Sequence, residues 1–272
     1  MKKRKITSAF LALGLSASLL FQIPVSAEEA DQTAAETVST ISTNSISGWP
    51  QASDISSEAA VVMENSTNTI LYSKNADEVL FPGSTVKIMT CLLALENTQL
   101  TDQVTMTATG VSGVTDGGAS ISSQVDEVFT VEQCLYAIMV ASANDIALQI
   151  AEHVGGSVDG FVQQMNARAQ ELGCTNTVFT NPTGLYDSRQ LTTARDMLLI
   201  TNYALQIDEF EEIATAVTFS PSISNATNHP DASAWTWTQA NAMTQETSNY
   251  YYKGAKGIKT GNLTKTGRSI IT

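Results

Sequence analysis

Histidine, cysteine and basic charge are scarce in this 272-residue chain, which holds 2 His, 3 Cys and 14 Lys plus Arg against 27 Asp plus Glu. Each shortage closes a route. A formal net charge of −13 argues against nucleic acid as a partner, because that binding rests on neutralising phosphates with Lys and Arg. Cys91, Cys134 and Cys174 are too few and too scattered for a disulfide framework. All three sit in or beside apolar helical patterns and read as buried, inert thiols, with one incidental disulfide as the alternative. Histidine is the usual partner of a nucleophile, yet only His153 and His229 exist. His153 stands near the end of a helical pattern, where a cation suits the dipole, and His229 sits in the turn-like "NATNHPDA". Any serine nucleophile must therefore find a different base.

The chain opens on "MKKRK", continues through the apolar "ITSAFLALGLSASLLFQIPV" and reaches "VSA" before "EEADQ". This order of basic, apolar and small residues reads as a secretory signal over residues 1–27, cleaved after Ala27. An uncleaved anchor is the alternative, since the apolar run approaches the ~20 residues that span a bilayer. No Cys follows the run, which argues against a lipid anchor at this end. Removing residues 1–27 takes away Lys2, Lys3, Arg4 and Lys5, leaving 10 basic residues against 27 acidic. Residues 28–50 are rich in Ser, Thr, Ala and Glu without periodicity and read as a disordered linker. Residues 51–272 suffice for one domain with a large core.

"AAVVMEN" and "TILYSKN" flank a polar turn and predict a hairpin. After "FPGS", the apolar spacing predicts a helix buried on much of its circumference. Thr130 and Gln133 form a capping box before "VEQCLYAIMVA". That helix breaks at "SAND", resumes to Gly155-Gly156, and Ser157 caps another that ends at Gly173. "TARDMLLITNYAL" and "DEFEEIATA" predict two more helices, and "AVTFS", "SAWTWTQ", "GIKTG" and "GRSIIT" predict strands. The order predicts an α+β fold, with an antiparallel sheet built from both chain ends and a helical lobe inserted between.

Three short motifs occur in order: "STVK" at Ser84 to Lys87, "SAN" at Ser142 to Asn144 and "KTG" at Lys259 to Gly261. Ser-x-Asn recurs at Ser42, Ser66 and Ser73, so alone it says almost nothing. Lys-Thr-Gly is far rarer by chance, yet it appears again at Lys265. Residues three apart share a helix face, so Ser84 and Lys87 can meet. A serine hydroxyl needs a group to take its proton. With histidine set aside, Lys87 is the candidate, and it must be neutral to serve. Bringing an amine from about 10.4 to about 7 costs about 4 kcal/mol, which burial, its own helix N-terminus and a second cation such as Lys259 can supply.

From Ala59 to Thr272 the chain resembles the serine D-alanyl-D-alanine carboxypeptidases, the low-molecular-mass penicillin-binding proteins of peptidase family S11. The three motifs carry the likeness, with "YSKNADEVLFPGSTVKIMTCLLALE", "FTVEQCLYAIMVASANDIALQIAEHVGG", "FVQQMNARAQELGCTNTVFTNPTGL", "TTARDM" and "GAKGIKTG". "GSTVK" replaces the commoner Ala-Ser-Thr-Thr-Lys and keeps both reactive side chains. The second Lys-Thr-Gly reads as a coincidence, with Thr266-Gly267 at the place of a family small-residue pair.

The resemblance implies the penicillin-binding protein/β-lactamase-like (DD-peptidase) fold over 51–272. It also implies removal of the terminal D-alanine from peptidoglycan stem peptides through an acyl-enzyme on Ser84, with Lys87 as base. Ser142 would relay a proton and Asn144 would bind the substrate amide. Lys259 and Thr260 would hold the terminal carboxylate on a strand edge opened by Gly261. The N–H groups of Ser84 and Asn262 would form the oxyanion hole. β-Lactams are the expected covalent inhibitors, and no metal or organic cofactor is implied. The expected location is exported, at the outer face of the cytoplasmic membrane or in the cell wall.

A class A β-lactamase would need a glutamate after the Ser-x-Asn loop, and none lies between Glu171 and Glu209. A DD-endopeptidase, or a penicillin-binding sensor without turnover, remains an alternative. The family domain ordinarily runs on past "GRSIIT" to a further strand, a closing helix and often a membrane-associating C-terminal segment. The chain is thus expected to be C-terminally incomplete, without the segment that carries the family's carboxylate-binding arginine.

Overall fold

A computed structural model describes residues 47–48, 55–114, 118–222 and 235–272. The expected signal sequence, His229 and all of the linker except Ser47 and Gly48 lie outside the described residues.

The first hairpin pairs β1 (Ala60–Glu64) antiparallel with β2 (Thr69–Lys74), with a register shift between Val62 and Met63. Its turn is tied by the Glu64 carboxylate, which accepts from the N–H groups of Ser66 and Thr67 at 3.0 and 2.9 Å. A 3-10 turn, Gly83–Val86, then leads into α1 (Lys87–Asn97). Every residue of α1 from Lys87 to Ala94 is buried, because the helix packs against α3 (Val131–Met139), α4 (Asn144–Gly155), α5 (Val158–Glu171), α6 (Ala194–Ala204) and α7 (Asp208–Thr215). Ile88, Leu92, Leu135, Ile138, Ile146 and Phe161 are wholly excluded from solvent. Each such side chain contributes about 1.5–3 kcal/mol by leaving water.

The helix boundaries follow the polar residues that stand at them. The Thr130 hydroxyl accepts from Gln133 N, and Gln133 Oε1 accepts from Thr130 N at 2.9 Å, which is the expected capping box. Ser157 accepts from Gly160 N at the head of α5, and Gly173 follows its end with φ +82°. A short helix, α2 (Ala108–Ser112), lies against α4.

The remaining strands pair as β3 (Gln103–Thr105) with β4 (Val128–Thr130), β5 (Thr218–Phe219) with β6 (Trp237–Thr238), and β7 (Lys259–Leu263) with β8 (Gly267–Ile271). All four pairings are antiparallel. Strands do come from both ends of the chain, around a helical middle. Among the described residues they form four separate two-stranded ladders rather than one continuous sheet. Both β7 and β8 pack on the 3-10 turn, which brings the last motif to the first.

Candidate functional site

Gly83 (φ +57°) opens the 3-10 turn that carries Ser84. The carbonyl just before it, Pro82 O, accepts from Thr85 Oγ1 at 2.7 Å and from Ser269 Oγ of β8 at 2.9 Å. One carbonyl thus ties the turn to itself and to the hairpin. Ser84 is half-buried, and Lys87, the first residue of α1, is completely buried. Their side chains meet as the i, i+3 spacing requires, with Lys87 Nζ 3.5 Å from Ser84 Oγ. The same Nζ donates to Asn144 Oδ1 at 2.5 Å and to the backbone carbonyl of Thr183.

Asn144 reaches that place because α3 ends at Met139 and α4 starts afresh at Asn144. Between them Ser142 adopts φ +58°, a left-handed conformation that costs a non-glycine residue about 1–3 kcal/mol and is held only by its surroundings. Those surroundings include the buried Asp145, whose carboxylate accepts from Ser120 Oγ at 2.7 Å, Ser123 N at 3.1 Å and Ser123 Oγ at 2.8 Å. Asn144 N also donates to Ala119 O at 2.8 Å. Ser142 is half-buried, and its hydroxyl makes no hydrogen bond among the described residues.

β7 carries the third motif. Lys259 is 3% exposed and its Nζ donates to Thr260 O at 3.1 Å. Gly261 lies so close to the turn that an added Cβ would stand 3.0 Å from Ser84 N and 2.4 Å from Ser269 Oγ. Thr260 is half-buried and Asn262 is exposed. Lys265 and Thr266 of the second Lys-Thr-Gly fall in the turn joining β7 to β8 and Gly267 opens β8, with Lys265 Nζ 5.3 Å from the centre of the Tyr186 ring.

The electrostatics suit a neutral amine. Burial holds Lys87 well below its ordinary value, and the nearby Lys259 cation pushes the same way, while Cys91 and Asp145 oppose them. Burial also pushes Lys259 down, to about 8. A desolvated ammonium beside a second cation gives up its proton readily, and the two carbonyl-type acceptors keep the resulting amine in place. The arrangement can deprotonate a hydroxyl without histidine. His153 is exposed in the last turn of α4.

The structure thus brings Ser84, Lys87, Asn144, Lys259 and Gly261 together, with Ser142 two residues from Asn144. It adds a segment that the motifs did not mark, "NPTGL" from Asn181 to Leu185. Gly184 has φ +85°, and an added Cβ would lie 2.7 Å from Ser84 N. The Asn-Pro-x-Gly pattern marks a turn in sequence, but nothing in it says what the turn packs against. The three cysteines are free and buried, as expected.

Comparison with known proteins places this geometry. The peptidase S11 family model, described as D-alanyl-D-alanine carboxypeptidase, matches residues 46–272. D-alanyl-D-alanine carboxypeptidase DacF of Bacillus subtilis is 33% identical over 218 residues, covering 78% of this chain and 52% of that protein. A D-alanyl-D-alanine endopeptidase of Pseudomonas aeruginosa is 32% identical over 150 residues, covering 55% of this chain and 48% of that protein. The chain therefore spans about half the length of these curated relatives. The crystal structure of the Streptomyces K15 DD-transpeptidase superposes with a TM-score of 0.72 at 27% identity, covering 80% of this chain and 85% of that one. That likeness establishes the α+β DD-peptidase fold. The family match takes in every motif of the site, and the chain belongs to the peptidase S11 family of D-alanyl-D-alanine carboxypeptidases.

Proposed function

We propose that residues 51–272 form the catalytic domain of an exported serine D-alanyl-D-alanine carboxypeptidase that trims peptidoglycan stem peptides. The observation that carries this reading is the fully buried Lys87 amine, 3.5 Å from Ser84 Oγ and depressed by burial and by Lys259. Ser84 Oγ attacks the carbonyl of the penultimate D-alanine while its proton passes to Lys87 Nζ. The tetrahedral oxyanion is met by the N–H groups of Ser84 and Asn262, donors of the kind that contribute most to acyl transfer. The C–N bond then breaks, and D-alanine leaves with the proton that Lys87 returns through Ser142. Water, losing its proton to the same amine, attacks the Ser84 ester; the C–O bond breaks, Ser84 Oγ takes that proton back from Lys87, and the shortened peptide leaves with a free carboxyl group.

Asn144 bonds the substrate amide. Lys259 and Thr260 take the terminal carboxylate by a charge-assisted contact, on a strand edge where Gly261 leaves room for close approach. A β-lactam resembles the D-alanyl-D-alanine end and acylates Ser84 in the same way. The site faces the cell wall, at the outer side of the cytoplasmic membrane, as the leader over residues 1–27 directs.

The test is to incubate the protein with a fluorescent penicillin, map the labelled residue by mass spectrometry, and follow D-alanine release from diacetyl-lysyl-D-Ala-D-Ala. Label on Ser84 with release supports the proposal. Label that persists in Ser84→Ala refutes the nucleophile. Label without release indicates a penicillin-binding module without turnover. The endopeptidase relative motivates a second substrate, a crosslinked muropeptide, whose cleavage at the D-alanyl bond would extend the activity to crosslinks.

A further inference from the structure

We infer that Thr90, Asn181 and Gln190 are positioning residues for the base: they hold the Thr183 carbonyl where it makes the Lys87 amine present its lone pair to Ser84. The inference rests on the reading of Lys87 as base. An ammonium has three N–H donors and accepts nothing. A neutral amine has two N–H groups and one lone pair. Three oxygens surround Lys87 Nζ, namely Asn144 Oδ1, the carbonyl of Thr183 and Ser84 Oγ. The first two are carbonyl-type oxygens that only accept. They take both N–H groups of the neutral amine, and the remaining tetrahedral direction falls to Ser84 Oγ, which alone of the three owns a proton. With the Thr183 carbonyl displaced, a single acceptor remains, and rotation about the Cε–Nζ bond carries the lone pair off Ser84.

That carbonyl belongs to a loop, so its position has to be enforced. Asn181 Oδ1 accepts from Thr183 N at 3.2 Å, Thr183 Oγ1 at 2.9 Å and Gly184 N at 2.9 Å. The Gly184 N–H and the Thr183 carbonyl are the two ends of one peptide unit. Asn181 therefore grips the end opposite Lys87 and fixes the plane in which the carbonyl points. Gln190, 2% exposed, accepts from Thr180 N at 3.0 Å and Asn181 N at 2.9 Å. Asn181 Nδ2 and Gln190 Nε2 both donate to Leu185 O, at 3.0 and 3.3 Å. From the other side Thr90, buried on α1 three residues past Lys87, donates its hydroxyl to Pro182 O at 2.7 Å. Thr90 and Lys87 rise from the same helix face, so the loop is keyed to the helix that carries the base. No member of the trio touches Ser84 or Lys87 by a hydrogen bond among the described residues.

The experiment compares wild type with Asn181→Leu, Thr90→Val and Thr90→Ser, using a fluorescent penicillin. Stopped-flow labelling separates the acylation rate constant from the noncovalent dissociation constant, and thermal melting verifies folding. Displacing the carbonyl by ~1 Å should slow acylation by about 10²-fold in Asn181→Leu and about tenfold in Thr90→Val. The noncovalent constant should stay within about twofold, because the substrate-binding groups are untouched. Thr90→Ser keeps the hydroxyl and should acylate close to the wild-type rate. A folded Asn181→Leu or Thr90→Val protein that labels at the wild-type rate overturns the inference. So does a Thr90→Ser protein as slow as Thr90→Val, which would assign the effect to packing. If Asn181→Leu fails to fold, the near-isosteric Thr90 pair decides. Failure of the wild type itself to label would instead reject the proposed function.

Discussion

Replacing Gly184 with alanine tests how tightly the Asn181–Leu185 loop is fitted to the nucleophile. The backbone there has φ +85°, and an added Cβ would lie 2.0 Å from Gly83 O, 2.4 Å from Gly83 C and 2.7 Å from Ser84 N. Real Cβ atoms do not come within 3.0 Å of such neighbours, and the atoms met are backbone, not the far end of a flexible side chain. About 1 Å of movement must therefore be found. If the scaffold resists, the left-handed conformation costs about 1–2 kcal/mol and the overpacking about 1–3 kcal/mol. A total near 3 kcal/mol lowers the melting temperature of a domain of this size by roughly 6–12 °C. If the scaffold yields, the Gly83–Ser84 peptide moves by that ångström and acylation slows by about 10²-fold. Melting followed by circular dichroism and acylation by fluorescent penicillin read the two outcomes separately. Gly173→Ala is the control, since Gly173 has φ +82° with nothing within 4 Å of its added Cβ. That variant should lose about 1–2 kcal/mol and acylate normally. A Gly184→Ala protein indistinguishable from Gly173→Ala in both measurements refutes the close fit.

Lys87→Met should slow acylation by about 10²–10⁴-fold, the usual contribution of a general base, as read by the penicillin label. Lys259→Met removes a cation that helps to depress Lys87, so the acid limb of the acylation-against-pH profile should move to higher pH; a limb that stays in place disproves the coupling. Lys259 also links stability to pH. Its folded-state value of about 8 lies below its ordinary 10.5, so between those values the unfolded chain binds a proton that the folded chain has released. Stability should therefore rise as pH rises through that window, and chemical denaturation should show a smaller rise in Lys259→Met. The thiols of Cys91, Cys134 and Cys174 are buried and pushed up by burial, that of Cys174 to about 12. A disulfide reagent should modify none of them in the folded protein and all three in denaturant; rapid reaction of native protein would contradict this.

Much of the architecture was legible from local chemistry. The Thr130–Gln133 box and the Ser157 cap stand at the predicted helix starts, because side-chain caps act within three residues. The Ser84–Lys87 contact was equally readable, since i, i+3 geometry needs no tertiary information. The pairing of strands was less so. The hairpins follow from turns, but a ladder between β1–β2 and β7–β8 is a long-range matter, and among the described residues the two hairpins form separate ladders.

What the sequence by itself determined is the inventory: a serine and a lysine on one helical turn, a second cation on a strand, a helix break presenting Ser142 and Asn144, and only two histidines in the chain. What only the tertiary structure decided is the state of the amine. Complete burial of Lys87, its proximity to Lys259 and the acceptor at Thr183 join residues 87, 144, 183 and 259, which lie far apart along the chain. Desolvation is a property of everything packed around a group, so no local pattern records it. For the same reason the Asn-Pro-x-Gly turn says nothing in sequence of its neighbours, while the fold sets Gly184 against Ser84 and lets Asn181 and Gln190 brace the loop behind it.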